Sequence, residues 1–273
     1  LKMLRDRSGR EIDYLRISVT DRCNLRCEYC MPPEGLQLKG HGDMLTYEEI
    51  ASVVGVAVRL GIGKVRLTGG EPLVRKGLAG LVRMLRAIPG LEEISMTTNG
   101  ILLTPETALE LKGMGLDRLN ISLDTLAPAA YRRITRGGDI ADVLRGIAAA
   151  KAAGFAGTKV NMVVSLPGSR DDIDRMRSFC EEEGLVLQTI NRFSLSKRTD
   201  EKGSPHDFDR PLPCEKCNRL RLTSDGYLKP CLFSDLEIKV DLEDIEGSIR
   251  KAVDAKPEKG TSCGVRSMRQ IGG

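Results

Sequence analysis

Two hydrophobic periods alternate along the first two-thirds of the chain. Short runs with apolar and polar residues in turn predict strands, and longer runs with apolar residues three and four apart predict helices. Residues 15–20 alternate and predict a strand. Residues 47–60 predict a helix, with Thr46 as N-cap and Glu49 placed for a capping box. A strand over 64–68 stops at Gly69-Gly70, and a helix over 78–88 stops at Pro89-Gly90. The same pair recurs as strand 94–98, ending at Asn99-Gly100, and helix 105–113, capped by Thr104. Strand 118–123 precedes helix 140–153, which Gly154 ends. Strand 158–164, helix 171–183 and strand 185–190 complete the series.

Six β–α units with short loops predict an α/β fold, a partial (β/α)6 TIM-like barrel of parallel strands with crossover helices. In such barrels the chemistry sits at the C-terminal ends of the strands. The pattern breaks after Arg192. Residues 194–213 are polar, rich in Lys, Asp, Ser and Pro, and read as a linker. Strand-like runs at 220–224 and 227–232 flank Asp225-Gly226, a hairpin turn signal, and a helix follows over 242–253. The division expected is a barrel over 1–193, a linker over 194–213, and a C-terminal cysteine-rich extension over 214–273 that closes the barrel.

Composition narrows the class. The chain has 273 residues, 41% hydrophobic, enough to bury a full core. Lys+Arg exceed Asp+Glu by four, too few to imply nucleic acid. No apolar run approaches membrane-spanning length, and residues 1–13 are charged throughout, unlike a signal peptide. Six of the eight cysteines fall in two triplets, which argues for metal in a reducing, cytoplasmic setting over disulfides.

The first triplet is Cys23-x3-Cys27-x2-Cys30. Structural zinc and ordinary iron–sulfur clusters take four protein ligands. Three can hold a [4Fe–4S] cluster with one iron open. The alternative is a zinc site with a distant fourth ligand, but the two histidines, His41 and His206, are not at zinc-finger spacing. With Tyr29 before its last cysteine, this triplet resembles that of the radical S-adenosylmethionine (SAM) enzymes. There the open iron chelates SAM, which is cleaved to a 5′-deoxyadenosyl radical. Gly69-Gly70-Glu71-Pro72 resembles the family's SAM-binding motif, although alone it reads as a turn before a helix. Tyr29 and Ser122 match other SAM contacts, and for Ser122 a solvated strand end is the plainer reading.

The second triplet is Cys214-x2-Cys217-x13-Cys231, read as a second cluster, with zinc again the alternative. The stretch from Pro213 to Leu232 resembles the second-cluster region of the GTP 3′,8-cyclase family, radical SAM enzymes that begin molybdenum cofactor biosynthesis. The resemblance implies two [4Fe–4S] clusters, SAM, and GTP as substrate, with its purine at the second cluster. The radical abstracts the C3′ hydrogen of GTP, and C3′ then attacks C8. By resemblance Arg16, Arg66, Thr97, Lys159, Arg219 and Arg221 contact GTP, and Lys64 shares a face with Arg66. Each basic residue alone reads as a surface charge, but together they are expected on the catalytic rim. Gly272-Gly273 matches a family tail that enters the active site, and Arg266 and Arg269 are expected to assist there. An electron donor of flavodoxin or ferredoxin type and the next enzyme, cyclic pyranopterin monophosphate synthase, are the implied partners. Cys180 reads as a buried core thiol and Cys263 as an exposed one.

The chain departs from the family pattern between Gln188 and Pro213, where it is shorter. Two readings follow: a compact cyclase, with Arg192 replacing a lost contact, or a two-cluster relative acting on another nucleotide or a peptide. An iron–sulfur electron carrier is a third class, and Gly-Gly-Glu-Pro argues against it.

Overall fold

The computed structural model describes residues 3–31, 38–164, 170–192, 195 and 213–272. The linker expected over 194–213 lies outside them, apart from Leu195 and Pro213, as does Gly273. In chain order the elements are β1 (Tyr14–Ser18), α1 (Tyr47–Arg59), β2 (Lys64–Thr68), α2 (Leu78–Arg86), β3 (Glu93–Thr98) and α3 (Pro105–Gly113). Then come β4 (Arg118–Ser122), α4 (Pro128–Thr135), α5 (Ile140–Ala152), β5 (Lys159–Val164), α6 (Arg170–Glu183) and β6 (Val186–Asn191). The C-terminal part holds β7 (Arg219–Leu222), β8 (Tyr227–Lys229), β9 (Ile238–Lys239), α7 (Ile245–Asp254) and α8 (Met268–Ile271).

The strands form one sheet in the order β6-β5-β4-β3-β2-β1-β7-β8-β9. The first six are parallel and sequential, the partial barrel expected. The extension meets the barrel along β1: β7 pairs with β1 in parallel, and β8 and β9 add an antiparallel meander. Local chemistry matches the elements. Thr46 and Glu49 form the reciprocal capping box of α1, and Thr104 caps α3. Helix α4 lacks a side-chain cap and buries only Tyr131 and Thr135. That is too narrow an apolar stripe to register as a helical period.

Parallel strands covered on both faces usually read as continuous apolar runs. These do not. Leu15, Ile17, Val65, Leu67, Ile94, Met96, Leu119, Ile121, Val160 and Met162 are at most 3% exposed and join the helices in the core. The alternate positions carry Arg16, Arg66, Ser95, Thr97, Asn120, Ser122, Lys159 and Asn161. One face of the sheet builds the core, and the other is polar, so the barrel interior is a place to bind something. Among the described residues no helix is long and apolar enough to cross a membrane.

Candidate active site

The chain leaving β1 runs against the loop leaving β2. The amides of Val19, Gly70 and Glu71 donate to the carbonyls of Thr68, Thr20 and Arg22 at 2.9, 2.8 and 2.8 Å. This stitching demands glycine. A Cβ on Gly70 would lie 2.1 Å from the Arg22 carbonyl oxygen, and one on Gly69, at φ +149°, 2.5 Å from that of Thr20. Glu71 is buried under the loop, where its Oε1 accepts from Thr98 Oγ1 at 2.7 Å and its Oε2 from the Asn99 amide at 2.7 Å. Burial pushes its carboxyl up to about 7, against three hydrogen bonds that favour the ionised form.

Cys23, Cys27 and Cys30 line one cavity with Tyr29, Gly69, Gly70, Glu71, Ser122 and Arg269. Tyr29 donates its hydroxyl to Asp124 Oδ2 at 2.8 Å, and Asp124 Oδ1 accepts the Val163 amide at 2.8 Å. Asp124 thus pins the cysteine loop to the ends of β4 and β5. Burial pushes its carboxyl up to about 6. Burial also pushes Cys27 up to about 12, with Asp124 and Cys23 adding to the effect. Burial raises Cys30 too, followed by Cys27, Asp124 and Cys23. Three thiols that oppose one another's ionisation in a half-buried site suit a cationic occupant.

Below them the inner face is strongly basic. Parallel pairing sets Arg66, Arg16 and Arg221 side by side on β2, β1 and β7. One step lower, Lys64, Tyr14 and Arg219 form a second row. Burial, then Arg221, lowers the pKa of Arg16 well below the usual arginine range. Burial, then Arg219, lowers Arg221 to about 10. Thr97 Oγ1 and Arg219 Nε are buried without a hydrogen-bond partner among the described residues. A lumen lined by this many cationic side chains suits a polyanion.

The expected catalytic rim needs correction. Lys64, Lys159 and Arg219 open their strands, and Arg16, Arg66 and Arg221 sit in the middle. The first three therefore lie at the N-terminal end of the barrel, away from the first triplet, and the three arginines lie midway, because register rather than loop position places them. Lys64 also pairs with Asp13 at 3.3 Å and is half exposed.

The second triplet lies at that N-terminal end. Cys214 opens a one-turn helix, Cys214–Lys216, Cys217 precedes β7, and Cys231 follows β8. Burial raises the Cys231 thiol, with Cys217 and Cys214 contributing. Burial also acts to raise Cys217, but Lys256 and the Arg219 amide and side chain outweigh it and its pKa falls. Among the described residues no three His, Cys, Asp or Glu converge closely enough to hold one metal ion. Cys23 and Cys27 act on Cys30, and Cys214 and Cys217 act on Cys231, so the fold brings each triplet together, and each offers the three thiols that a cluster with one open iron takes.

The tail reaches the barrel. Arg269 lines the upper cavity, with Nη1 3.4 Å from Met31 Sδ. Arg221 Nη1 donates to the Gly272 carbonyl at 2.5 Å, and a Cβ on Gly272 would lie 2.0 Å from Thr68 Oγ1. Arg266 does not join them. Its guanidinium bonds both Glu237 oxygens and Asp225 Oδ2, each at 2.8 Å, so it anchors the tail to the extension. Cys180 is buried as expected, and Cys263 is buried rather than exposed. Asp124, Thr98 and Asn99 fall at the C-terminal ends of β4 and β3, where the chemistry is expected, but their partners Tyr29 and Glu71 come from other loops and are not legible in the sequence. Arg192, the proposed replacement contact, lines the upper cavity.

The radical SAM superfamily model matches residues 17–180, and the chain belongs to that superfamily. Solved structures agree on the fold. Native anSMEcpe with bound AdoMet superposes with a TM-score of 0.66 at 18% identity, covering 90% of this chain and 81% of its own. Streptococcus suis SuiB gives 0.69 at 14%, covering 92% and 68%. Curated relatives are closer in sequence. GTP 3′,8-cyclase of Peptoclostridium acidaminophilum is 43% identical over 93% of this chain and 89% of its own. That of Moorella thermoacetica is 42% identical over 99% and 100%. The chain is a member of the GTP 3′,8-cyclase family. The Moorella alignment runs over 331 residues against 273 in this chain, in keeping with a shortened segment here.

Proposed function

We propose that this chain is a GTP 3′,8-cyclase, a lyase that converts GTP to 3′,8-cyclo-7,8-dihydro-GTP at the start of molybdenum cofactor biosynthesis. The observation that carries the reading is the arginine row Arg66–Arg16–Arg221, set between the two cysteine triplets. Five-residue β1 spans only about 13 Å, so one extended nucleotide reaches from one triplet toward the other.

In this reading Cys23, Cys27 and Cys30 hold a [4Fe–4S] cluster, and Tyr29, Gly69, Gly70, Glu71, Pro72 and Ser122 hold SAM. When bound and reduced, that pair supplies the 5′-deoxyadenosyl radical. Gly69 and Gly70 let the loop that would hold SAM pack against the chain leaving β1, where a Cβ would meet backbone. Arg16, Arg66, Arg219 and Arg221, with Lys64 and Lys159, bind the triphosphate and fix the ribose in the lumen, while Thr97 offers its hydroxyl to the sugar. Cys214, Cys217 and Cys231 hold the second cluster beside the purine. Arg269 and Gly272 close the upper mouth against water. Arg266 acts at a distance, by fixing the tail. Residues 1–193 and 214–273 are the two functional parts, and 194–213 joins them. A flavodoxin- or ferredoxin-type donor supplies the electron, and cyclic pyranopterin monophosphate synthase takes the product.

The test is anaerobic incubation with GTP, SAM and dithionite, read by mass spectrometry. Formation of 5′-deoxyadenosine together with an isomer of GTP is expected. Deoxyadenosine without a GTP-derived product would assign the chain another substrate.

A further inference from the structure

The second triplet rides on two stretches of chain, the turn that carries Cys214 and Cys217 and the end of β8 that carries Cys231. Two buried cations join them. Lys256 is 5% exposed, and its Nζ donates to the Arg219 carbonyl at 2.7 Å and the Pro230 carbonyl at 2.6 Å. Arg219 is two residues past Cys217, and Pro230 directly precedes Cys231. Arg10 holds the start of the Cys214–Cys217 turn. Its Nη1 donates to the Cys214 carbonyl at 2.9 Å and the Glu258 carbonyl at 3.0 Å, and its Nη2 to the Pro257 carbonyl at 2.7 Å. Arg10 therefore ties Cys214 to the loop that starts at Lys256.

The N-terminal segment is folded to aim this arginine. The Asp6 side chain is fully buried, with Oδ2 2.6 Å from Arg10 Nε. Its Oδ1 accepts the amides of Ser8 and Arg10 at 2.9 and 3.0 Å, and Gly9, at φ +76°, allows the tight turn. A carboxylate with its acceptor positions filled locally holds the guanidinium in one orientation, leaving its outer nitrogens for the three carbonyls.

We propose that Arg10 and Lys256 are positioning residues for the second iron–sulfur site, a two-cation strap that locks the two cysteine-bearing stretches, through the loop at 256–258, into one ligand set. This rests on the reading that Cys214, Cys217 and Cys231 hold a cluster. The charges agree with it. Two cations face one carboxylate, Asp6, and the surplus positive charge offsets the negative charge that three thiolates bring. Segment 3–13, which carries no cysteine, is thereby part of the site.

The strap is tested in the chain carrying Cys23→Ala, Cys27→Ala and Cys30→Ala, which retains only the second site. Iron loss to a ferrous chelator is followed anaerobically by the decay of visible absorbance. Lys256→Met and Arg10→Met should each speed loss by about tenfold or more, as supporting residues around metal ligands do. Arg10→Lys should fall between, since it keeps charge but not the fork. The same substitutions in a Cys214→Ala, Cys217→Ala, Cys231→Ala chain should leave loss from the first site unchanged. Unchanged rates at the second site, or equal acceleration at both, would overturn the strap. A parent chain that holds no iron at the second site would overturn the cluster reading itself, and the strap with it.

Discussion

Arg16 sits mid-row between two like charges, so removing it should have opposite effects on folding and on binding. Arg66 flanks it on β2 and Arg221 on β7. Adjacent strands are about 4.8 Å apart. At an effective dielectric constant of about 20, unit charges 5 Å apart repel by about 3 kcal/mol, and at twice that separation by about 1.5 kcal/mol. Side chains splay, so the second figure applies, once for each neighbour. Burial acts in the same direction, lowering the pKa of Arg16 ahead of any neighbour. Arg16→Met keeps most of the side-chain length and removes the charge. Allowing for its lost contacts, the ligand-free chain should gain about 1–2 kcal/mol, a Tm rise of roughly 2–8 °C for a chain of this size. The same change removes a charge-assisted phosphate contact worth about 1.5–3 kcal/mol, a loss of roughly 10- to 150-fold in GTP affinity. Calorimetry of the ligand-free chain gives the first number, and equilibrium dialysis with labelled GTP without reductant gives the second. A lower Tm, or unchanged GTP binding, would refute the argument that the row is held in tension for a polyanion.

Three further outcomes follow from the same geometry. Gly70→Ala drives a Cβ into the Arg22 carbonyl and should cost about 2–4 kcal/mol through steric overlap and broken loop hydrogen bonds, read by denaturant unfolding. Tyr29→Phe strips a donor from the buried Asp124 and should cost about 1.5–3 kcal/mol, while SAM affinity, measured calorimetrically on the reconstituted chain, falls as the cysteine loop loosens. Cys214→Ala should lower reconstituted iron from about eight to about four per chain, and unchanged iron content would contradict a second cluster.

Much of the fold was legible because local signals agreed with the global one. The Thr46/Glu49 box, the glycine stops and the strand alternation all mark real boundaries. Both cysteine triplets and the Gly-Gly-Glu-Pro turn were legible because ligation and backbone stitching constrain contiguous residues. What could not be read was position set by register. That Arg16 lies beside Arg66 and Arg221, midway along the barrel, follows from the pairing of β1 with β2 and β7, and β7 is some 200 residues away in sequence. Arg266 and Arg269 look alike in the tail, yet one finds Glu237 and Asp225 and the other the cavity. The Asp6–Arg10 turn resembled any charged terminus, because its meaning lies in carbonyls far along the chain.

Strand β1 also accounts for how a shortened chain keeps both sites in place. The first triplet follows directly on β1. The second opens and closes around β7 and β8, and β7 is hydrogen-bonded to β1 over Tyr14–Ile17. The distance between the triplets is therefore set by strand rise and register along one ladder, not by the connection that leaves β6. That connection has only to lead from the C-terminal end of β6 back to the N-terminal end of β7. Even twenty extended residues reach about 66 Å, several times the length of a five-residue strand. A shorter connection there would change contacts only near the C-terminal end of β6, where Asn191 and Arg192 stand at the upper cavity. It leaves the arginine rows and both cysteine sets where β1 puts them.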